Sequence, residues 1–500
     1  MNETNPVLKI YDTPQHKRVE FKPYNKGKVR MYSCGPTVYN TVHIGNLRSI
    51  VNFDVVGRAL RYLGYDVSRV VNFTDVGHMS SDADFGEDKI EKKAKEENVG
   101  ATDIANKYIS HVVDSFRKLN VLNPNGTEIK LNIDVKDTTK EQWAELGWAR
   151  ATDYIQEMIE LISLIEKNGH TYETEQALYF DISTYPQYFE FTGQKLEEKQ
   201  VAVREEVKGD PNKRHPADFV LWMKRFGKYE NHMMHWNSPW GDGFPGWHIE
   251  CSAMSWKLLG DEIDIHTGGS DLVSLHHPNE IAQNFGAFGH DIVKYWLHNA
   301  FVFTTDGEKL SKSKGNALSL KEIEERGINL MALRWYYLTS SYRAPMNFSM
   351  KSLESSQKAY SNIINVLKKL DNGKIGVADE KYITLFKEAL ADNFNTPKVL
   401  ALLNTLMKAD LKPEDIVATA FEFDKVLGLD LEKATKEKID ESPEIPSQDV
   451  EDIEIREILN SRQKAREEKN WALSDQLRDE LLEKGYQVLD RENGQYVSKV

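Results

Sequence analysis

The chain has 500 residues, of which 40% are hydrophobic and 28% charged, and its formal net charge is −14 at pH 7. This composition is typical of a globular protein with more than one domain, and the acidic balance excludes a surface coated with basic charge, although a local basic groove is compatible with it. The chain lacks an apolar run of the ~18–20 residues that cross a bilayer, a signal-peptide pattern and a disulfide framework, so we expect a cytoplasmic protein without membrane contact.

The first predicted elements form a β–α–β unit. The residues GKVRMYSC predict a strand over Lys28–Cys34 that ends in a turn at Gly35-Pro36. Apolar residues spaced three and four apart then predict a helix that begins at HIGN and stops at Gly64. The β-branched run DVSRVVNFTDVG is the next predicted strand. This order indicates a parallel nucleotide-binding sheet.

An insertion is predicted in the middle of the chain. Residues from about 123 to 230 have a mixed pattern that includes an amphipathic helix over 149–168. Strand patterns return in EIDIHTGG and YWLHNAFVFTT. We therefore expect one α/β domain over residues 1–330 that carries this insertion.

Beyond residue 330 the predicted elements are almost wholly helical. The pattern from NLMALRWYYLTSSY to FEFDKVLGLDL predicts a helical bundle over 331–432. Residues 433–450 are polar, contain two prolines and indicate a linker. Residues 451–500 predict a small helical unit with a short β tail.

The two cysteines of the chain have neighbours that suit a metal ion. Candidate ligands are two thiols, two imidazoles and a carboxylate: Cys34, Cys251, His276, His277 and Glu280. Pro278 suits the first position of a helix, so we expect both histidines just before that helix and the carboxylate in its first turn. Thiolate, imidazole and carboxylate together suit zinc. The alternative is that both cysteines are inert buried thiols.

Three short stretches suit a bound nucleotide. HIGN places His43 at a helix start, where a phosphate chain meets the helix N-terminus; the alternative is an ordinary helix cap. GEKLSKSKGN, 307–316, offers three lysines and two serines to a triphosphate whose charge grows in a transition state; the alternative is a solvated loop. HTGGSD, 266–271, brings backbone close to a nucleotide or forms an ordinary turn.

Taken together, these stretches resemble the cysteinyl-tRNA synthetases, a family of class I aminoacyl-tRNA synthetases, nearly from end to end of the chain. SCGPTVYN is similar to the family's first zinc segment, and HIGN and KLSKS are similar to its two class signatures. GWHIECSAM, DIHTGGSDL and HHPNEIAQ are similar to its cysteine pocket. NFNTPKVLALL and RQKAREEKNWALSDQLRDELLEKGYQVLD are similar to its helical and anticodon-binding parts. The resemblance implies a Rossmann-type parallel-sheet catalytic domain with a connective insertion, a helical bundle and a small C-terminal anticodon-binding domain.

The resemblance also implies the residues of the site. The implied zinc ligands are Cys34, Cys251, His276 and Glu280. The implied ATP-binding residues are His43, Gly45, Asn46, Gly269, Asp271 and Lys312, and the implied catalytic residues are His43, Asn46, Lys309 and Lys312. The residues implied to bind the amino acid are Gly35, Thr74, Trp247 and Asp271. The family pattern uses the first histidine of the pair, which spacing alone could not separate from the second.

A two-step reaction follows from the resemblance. The carboxylate of L-cysteine attacks the α-phosphate of ATP, which arrives with Mg²⁺, and the 3′-terminal ribose hydroxyl of tRNA(Cys) then takes the cysteinyl group. One zinc ion per chain takes the substrate thiolate as a ligand, and serine is rejected because a hydroxyl is a poor zinc ligand until it is deprotonated. We therefore expect no editing domain, and we expect a monomer.

The chain departs from the family pattern at three places. Asn46 ends the first signature where histidine is usual, and Leu310 stands where methionine is usual in the second. The usual run Thr-Asp-Val-Asp-Asp-Lys is interrupted here, because Gly77-His78 follow Thr74-Asp75-Val76 and the Asp-Lys pair comes only at 88–89.

Two other functions remain open at this level. A ligase that joins activated cysteine to a sugar amine shares the catalytic core and zinc set but lacks an anticodon-binding end, so residues 451–500 separate the two activities. A non-catalytic zinc and tRNA-binding protein has no need of the lysine-rich loop over 309–313.

Overall fold

The computed structural model describes residues 5–77, 79, 86–131, 133–191, 210–304, 307–308, 310, 318–437, 445–468, 470–491 and 494–499. Within these ranges, no helix has both the length and the apolar character needed to cross a membrane. The chain divides into two compact units, Met1–Glu432 and Lys433–Val500.

The first unit contains both strands and helices. The strands are β1 (Lys9–Asp12), β2 (Lys17–Glu20), β3 (Lys28–Ser33), β4 (Asp66–Phe73), β5 (Trp148–Arg150), β6 (Thr171–Glu173), β7 (Ala177–Phe180), β8 (Phe219–Lys224), β9 (Trp236–Ser238), β10 (Gly241–Pro245), β11 (Ile263–Gly269), β12 (Val293–Asn299), β13 (Val302–Thr304) and β14 (Met346–Phe348). The helices are α1 (Ile44–Tyr62), α2 (Lys89–Glu97), α3 (Ala101–Lys118), α4 (Lys140–Leu146), α5 (Ile155–Lys167), α6 (Trp247–Leu259), α7 (His276–Phe288), α8 (Leu320–Glu325), α9 (Leu330–Leu338), α10 (Met350–Leu370), α11 (Glu380–Ala391), α12 (Thr396–Leu406), α13 (Pro413–Leu427) and α14 (Leu431–Lys436), of which α14 spans the boundary between the units.

A five-stranded parallel sheet in the order β12-β11-β3-β4-β5 forms the centre of the first unit, as the β–α–β pattern predicted. Its strands are apolar and largely buried, as expected of a parallel sheet with covered faces. The chain runs from β3 through α1 to β4 on one side and from β11 to β12 on the other, so the strand order changes direction between β3 and β11. Ligands of open α/β sheets bind at the carboxyl edge of such a switch point.

The predicted helix after HIGN is confirmed as α1. His43 is its N-cap residue, and the helix ends at Tyr62. Leu63 and then Gly64 follow, and the φ of Gly64 is +89°, which suits glycine. The predicted strands on either side are confirmed as β3 and β4.

The predicted helix over 149–168 begins later than the pattern indicated. Residues 148–150 pair with β4 as strand β5, and Ala151–Tyr154 form a 3₁₀ turn before α5 starts at Ile155. Asp75 explains this start, because its carboxylate accepts hydrogen bonds from the Arg150 side chain and from the backbone and hydroxyl of Thr152.

The rest of the insertion includes a second sheet in the order β6-β7-β8-β10-β9, and all its pairs are antiparallel.

Helix α7 begins at His276, so the prediction that both histidines precede the helix was wrong. Pro278 occupies its first turn rather than its first position. A proline is tolerated there because the first N–H groups of a helix have no intrahelical acceptor. As a result, His276 and Glu280 are four residues apart on one helical face.

The predicted strand in YWLHNAFVFTT is divided into β12 and β13 around Ala300 and Phe301. Residues 331–432 are helical as predicted, except for the short strand β14, which pairs in parallel with β13. Three residues are too few for a periodic pattern, so only this pairing reveals β14.

From Ile445 onward, the described residues of the second unit form a three-stranded antiparallel sheet and two α-helices. Its further elements are β15 (Ile445–Pro446), α15 (Ile453–Glu467), α16 (Trp471–Glu483), β16 (Tyr486–Arg491) and β17 (Gly494–Lys499), with β17 in the middle of the sheet. Its core is made of the apolar side chains of Val450, Ile455, Ile458, Leu459, Leu481 and Val497.

Candidate metal centre and active site

Four side chains from three parts of the chain meet beyond the carboxyl end of β3. They are Cys34, Cys251, His276 and Glu280, and their ligand atoms all lie within 4.8 Å of one another. Cys34 Sγ is 3.8 Å from Cys251 Sγ and 3.8 Å from Glu280 Oε1, and His276 Nε2 is 3.1 Å from Glu280 Oε1. Tetrahedral zinc has edges of about 3.8 Å between two sulfurs and about 3.3 Å between nitrogen and oxygen. The measured sulfur–sulfur and nitrogen–oxygen distances are close to these edges, and the four donors are near enough to share one metal ion.

Local structure delivers each of these donors. Cys34 directly follows β3, and its backbone N–H donates to Thr267 O of the neighbouring strand β11 at 2.9 Å. Cys251 lies in the second turn of α6, and His276 and Glu280 share one face of α7. Since α6 packs on β3, β4 and α7, the two cysteines meet although 217 residues separate them.

The electrostatics of this cluster favour a cation. Burial, the hydrogen bond to Cys251 and the nearby Glu280 raise the pKa of the Cys34 thiol well above its usual range. Burial likewise raises the pKa of Glu280. Burial opposes ionisation of Cys251, but the hydrogen bond from Cys34 lowers its pKa to about 7 overall. A bound divalent cation would replace the protons that these buried acids otherwise retain, so the donor set fits such an ion.

A second set of donors overlaps the first. His266 and His277 form it together with Cys34 and Glu280. His266 Nε2 is 3.4 Å from Cys34 Sγ, and His277 Nε2 is 3.5 Å from the same sulfur. Burial lowers the pKa of both imidazoles well below the usual range, so both are neutral donors. The first set has two thiols and the second has one, and this difference favours the first set for zinc.

Three histidines outside the first set, namely His248, His266 and His298, surround the ligands, and the sequence did not point to them. His248 Nδ1 is 2.8 Å from His276 Nδ1, and His298 Nε2 is 2.7 Å from His277 Nδ1. His298 Nδ1 is in turn 2.7 Å from Thr13 Oγ1. Such contacts orient the rings that bind a metal. The available signal was an imidazole within an apolar strand or helix, as in DIHTGG, WLHNA and GWHIE.

The first signature forms a complete capping box. His43 Nδ1 accepts the backbone N–H of Gly45 at 3.0 Å, and Asn46 Oδ1 accepts the backbone N–H of His43 at 3.4 Å. The neutral His43 ring therefore carries its proton on Nε2, and Asn46 keeps its amide N–H₂ as a donor. The expected helix cap is compatible with the expected phosphate site, because the cap uses neither Nε2 of His43 nor the amide nitrogen of Asn46.

Gly45 is needed for this cap. A Cβ atom at Gly45 would lie 2.9 Å from His43 Cε1 and 3.8 Å from Leu310 Cβ. Leu310, the apolar residue of the second signature, is buried at this position beside the first signature. The predicted catalytic residues Lys309 and Lys312 lie outside the described residues, as does His78.

Gly35 and Thr74 are held together by Asn72 at the end of β4. Gly35 N donates to Asn72 Oδ1 at 2.8 Å, and Thr74 Oγ1 accepts from Asn72 Nδ2 at 3.1 Å. A Cβ atom at Gly35 would lie 1.6 Å from Asn72 O, so only glycine fits. Thr74 is buried.

The atypical segment after Val76 has its own structural logic. At Gly77, φ is +70°, and a Cβ atom would lie 2.7 Å from the carbonyl oxygen of Pro245 at the end of β10. This close approach of the chain to β10 therefore requires glycine at position 77. Asp88 of the delayed Asp-Lys pair caps α2 through the backbone N–H groups of Ile90 and Glu91.

The remaining predicted residues lie around the metal cluster and at the end of β11. The Trp247 ring centroid is 4.4 Å from that of His276. Gly269 ends β11, and a Cβ atom there would lie 2.2 Å from Asp271 Oδ1. Asp271 is exposed, so its carboxylate is open to a ligand.

Comparison with solved structures defines the class of fold. Two structures of Mycobacterium tuberculosis methionyl-tRNA synthetase with methionyl-adenylate superpose with TM-scores of 0.50 and 0.51. They cover 82% and 83% of this chain and 91% and 92% of their own, at 13% and 14% sequence identity. The fold is that of a class I aminoacyl-tRNA synthetase.

Sequence comparison defines the family within this class. The model described as "tRNA synthetases class I (C) catalytic domain" matches residues 20–358, and "Cysteinyl-tRNA ligase anticodon binding domain" matches residues 452–497. Cysteine–tRNA ligase of Treponema denticola is 38% identical over 97% of this chain and 98% of its own length. The corresponding values for cysteine–tRNA ligase 1 of Burkholderia lata are 38%, 98% and 96%, and those for the Deinococcus radiodurans enzyme are 37%, 98% and 97%. The chain belongs to the cysteine–tRNA ligases, an ATP-dependent enzyme family of protein biosynthesis, which confirms the resemblance.

Proposed function

We propose that this protein attaches L-cysteine to tRNA(Cys) through a cysteinyl-adenylate intermediate, with a zinc ion selecting the cysteine thiolate. The observation that carries the proposal is the convergence of Cys34, Cys251, His276 and Glu280, whose ligand atoms lie within 4.8 Å of one another, in a class I fold. These donors come from three separate parts of the chain, after β3 and in α6 and α7, and a shared ligand accounts for their proximity.

The metal site supplies amino-acid selectivity in this proposal. When bound, zinc supplies a Lewis-acidic centre that prefers the thiolate of cysteine to the hydroxyl of serine. The protein's part is to hold four donors in place, and the His248–His276 contact orients one of them. An apolar pocket discriminates such small groups by only ~1–3 kcal/mol, so the proposed site needs no separate editing domain.

ATP is proposed to bind with Mg²⁺ at the start of α1. His43 Nε2 and the Asn46 amide would donate to phosphate oxygens, and the helix dipole would add to their effect. Lys309 and Lys312 would neutralise the charge that develops as pyrophosphate leaves. Gly269 and Asp271, at the end of β11, would contact the adenosine and the amino acid.

The amino acid is proposed to lie between β3, β4 and α6. Gly35 and Thr74 would line one side of the pocket and Trp247 the other, where its ring already contacts His276. The protein is also proposed to be a monomer. Reduced thiols are needed to bind zinc, which supports a cytoplasmic location.

The anticodon-binding match over residues 452–497 favours tRNA over a sugar amine as the acceptor. Arg462 of this unit is buried and forms an ion pair with Asp490 at 3.0 Å, so it does not face phosphates. Arg456 and Lys464 remain at least partly exposed, so they are the better candidates for phosphate contacts.

The experiment that tests the proposal is aminoacylation of total tRNA with labelled cysteine or serine, with bound metal measured on the same sample. We expect charging of tRNA(Cys) alone, with cysteine alone, by protein that holds about one zinc per chain. Transfer of cysteine to a sugar amine without tRNA charging would support the sugar ligase. Zinc binding without cysteine-dependent ATP–pyrophosphate exchange would instead indicate a non-catalytic protein.

A further inference from the structure

Arg48, in the second turn of α1, is completely buried. Its guanidinium donates to four backbone carbonyl oxygens: those of Ala300 at 3.0 Å, Phe301 at 3.2 Å, Ser341 at 3.0 Å and Ala344 at 2.7 Å. None of its hydrogen bonds within the described ranges goes to a carboxylate. Burial lowers its pKa to about 10, so it stays charged near neutral pH. Burial of a cation costs free energy because the charge loses its hydration. The hydrogen bonds that offset this cost hold these four carbonyls in position.

These carbonyls lie at the base of the small β13–β14 sheet. Ala300 and Phe301 lead into β13, and Ser341 and Ala344 precede β14. The same two segments are joined by Ala300 N to Tyr342 O at 2.8 Å and by Met346 N to Phe301 O at 3.1 Å. Arg48 therefore connects α1 to both strands at once.

In the sequence, strand β13 comes just before the second signature, and three contacts hold Ala300, Leu310 and Leu318 near the start of α1. At the beginning, Arg48 holds Ala300. In the middle, Leu310 N donates to Val302 O at 3.0 Å, and its side chain lies beside Gly45. At the end, Ile44 N donates to Leu318 O at 3.0 Å. Leu310, the described residue of the second signature, thus lies beside the same turns of α1 that carry the first signature.

We propose that Arg48 is a positioning residue for adenylate formation, which holds β13 against α1 and so fixes where the second signature starts relative to the first. This inference rests on the proposed function. Arg48 does not contact a substrate in this proposal. It acts by holding β13, after which the second signature begins. Small displacements of groups that meet a transition state cost rate more than ground-state binding.

Cysteine-dependent adenylate formation by Arg48→Met, measured under single-turnover conditions, tests this. We expect the maximal rate to fall about 10-fold or more, while the dissociation constants of cysteine and ATP change by less than about 3-fold. Arg48→Lys keeps the charge and part of the hydrogen bonding, and it should recover part of the rate. Arg61→Met is the matched control, because Arg61 lies on the same helix and donates to the carbonyls of Val67 and Pro124, away from β13. It should retain the wild-type rate.

A double-mutant cycle with Lys312→Ala separates positioning from general stability. If Arg48 acts through the second signature, Arg48→Met should cost much less rate in a Lys312→Ala background than in the wild type. If Arg48→Met does not fold, Arg48→Lys takes its place in the cycle. The role of Arg48 would be overturned if the rate losses of Arg48→Met and Lys312→Ala multiplied in the double mutant. It would also be overturned if Arg61→Met lost as much rate as Arg48→Met, or if Arg48→Met lost only cysteine affinity. Absence of cysteine-dependent activity in the wild-type protein would contradict the proposed function itself.

Discussion

At the scale of single residues, the pair His276 and His277 shows how closely two donors can compete. Both imidazoles are within reach of Glu280, but only His276 belongs to the set with two thiols. His277 has its other nitrogen bound to His298 and serves the second set. The distinction depends on where each ring points, which a sequence of two adjacent histidines does not specify.

Substitution of each histidine in turn tests this assignment. His276→Gln should weaken zinc binding by more than the ~10–100-fold typical of an outer partner, because it removes a ligand. His277→Gln should retain about one zinc per chain and lose affinity only within that range. Metal content after dialysis against a graded series of chelator concentrations gives the comparison. Equal losses, or a greater loss in His277→Gln, would assign the metal to the second set.

Gly35 provides a test of packing next to the metal site. Gly35→Ala would place a Cβ atom 1.6 Å from Asn72 O, and the displaced atom is backbone. We expect a loss of at least about 1–3 kcal/mol in the free energy of unfolding, together with weaker metal binding, because Cys34 is the preceding residue. Thermal unfolding and metal content measure both effects.

Gly57→Ala is the matched control. Gly57 lies within α1, and a Cβ atom there would be no closer than 3.4 Å to any neighbour. Since alanine is favoured over glycine in a helix by about 1 kcal/mol, this variant should be as stable as the wild type or more so. A wild-type thermal midpoint for Gly35→Ala would show that β3 and β4 separate easily at this point.

At the scale of elements, His232 joins α2 to the loop that precedes β9. His232 Nδ1 is 3.0 Å from Glu91 Oε1, and Nε2 is 3.6 Å from Asp88 Oδ2. Its ring also stacks on Phe244 of β10 at 3.8 Å. Burial opposes its charge, but the two carboxylates raise its pKa to about 9. The segment that departs from the family pattern is thereby attached to the antiparallel sheet.

This contact predicts a pH dependence of stability. Because the folded pKa is raised from 6.5 to about 9, the contribution of His232 is fully present below pH 6.5 and is lost as the pH rises through 9. It amounts to at most about 3 kcal/mol. Thermal midpoints of the wild type and His232→Gln should therefore differ more at pH 6 than at pH 9.5. An equal difference at both pH values would mean that His232 contributes by packing alone.

At the scale of the whole molecule, the two compact units carry different parts of the proposed reaction. The metal centre and the described parts of both signatures lie in Met1–Glu432, and the anticodon-binding match lies in Lys433–Val500. The net charge of −14 leaves tRNA recognition to local features. In the second unit, Trp471 is 57% exposed at the start of α16, with the Arg466 guanidinium 5.8 Å from its ring centroid. An exposed aromatic ring beside an arginine is a platform for a nucleic-acid base.

Trp471→Ala should separate the two steps of the reaction. Base stacking contributes ~1–3 kcal/mol, so we expect KM for tRNA(Cys) to rise by about 5–150-fold. Adenylate formation should be unchanged, because its residues belong to the other unit. Leu482→Ala is the control, since Leu482 is 54% exposed near the opposite end of the same helix. Similar KM values for both variants and the wild type would exclude Trp471 from tRNA binding.

Periodicity and local motifs were sufficient to predict the regular parts of the fold. The parallel sheet, α1 and the helical region followed from them because a long apolar repeat depends on neighbouring residues only. Predictions were wrong where a distant group intervened. Asp75 holds residues 150–152 and delays α5, and the pairing of β13 with β14 is visible only in three dimensions.

The amino-acid sequence by itself determined the family, the first class signature and the four residues proposed as metal ligands, since these are properties of residue type and order. Tertiary structure decided that these donors lie close together in two overlapping sets, because their distances depend on the directions of side chains at the end of β3 and in β11, α6 and α7. It also decided that Arg462 is internal, and that Arg48 connects α1 to β13. Burial and hydrogen bonding to distant backbone carbonyls arise only when the chain is folded, and no local pattern encodes them.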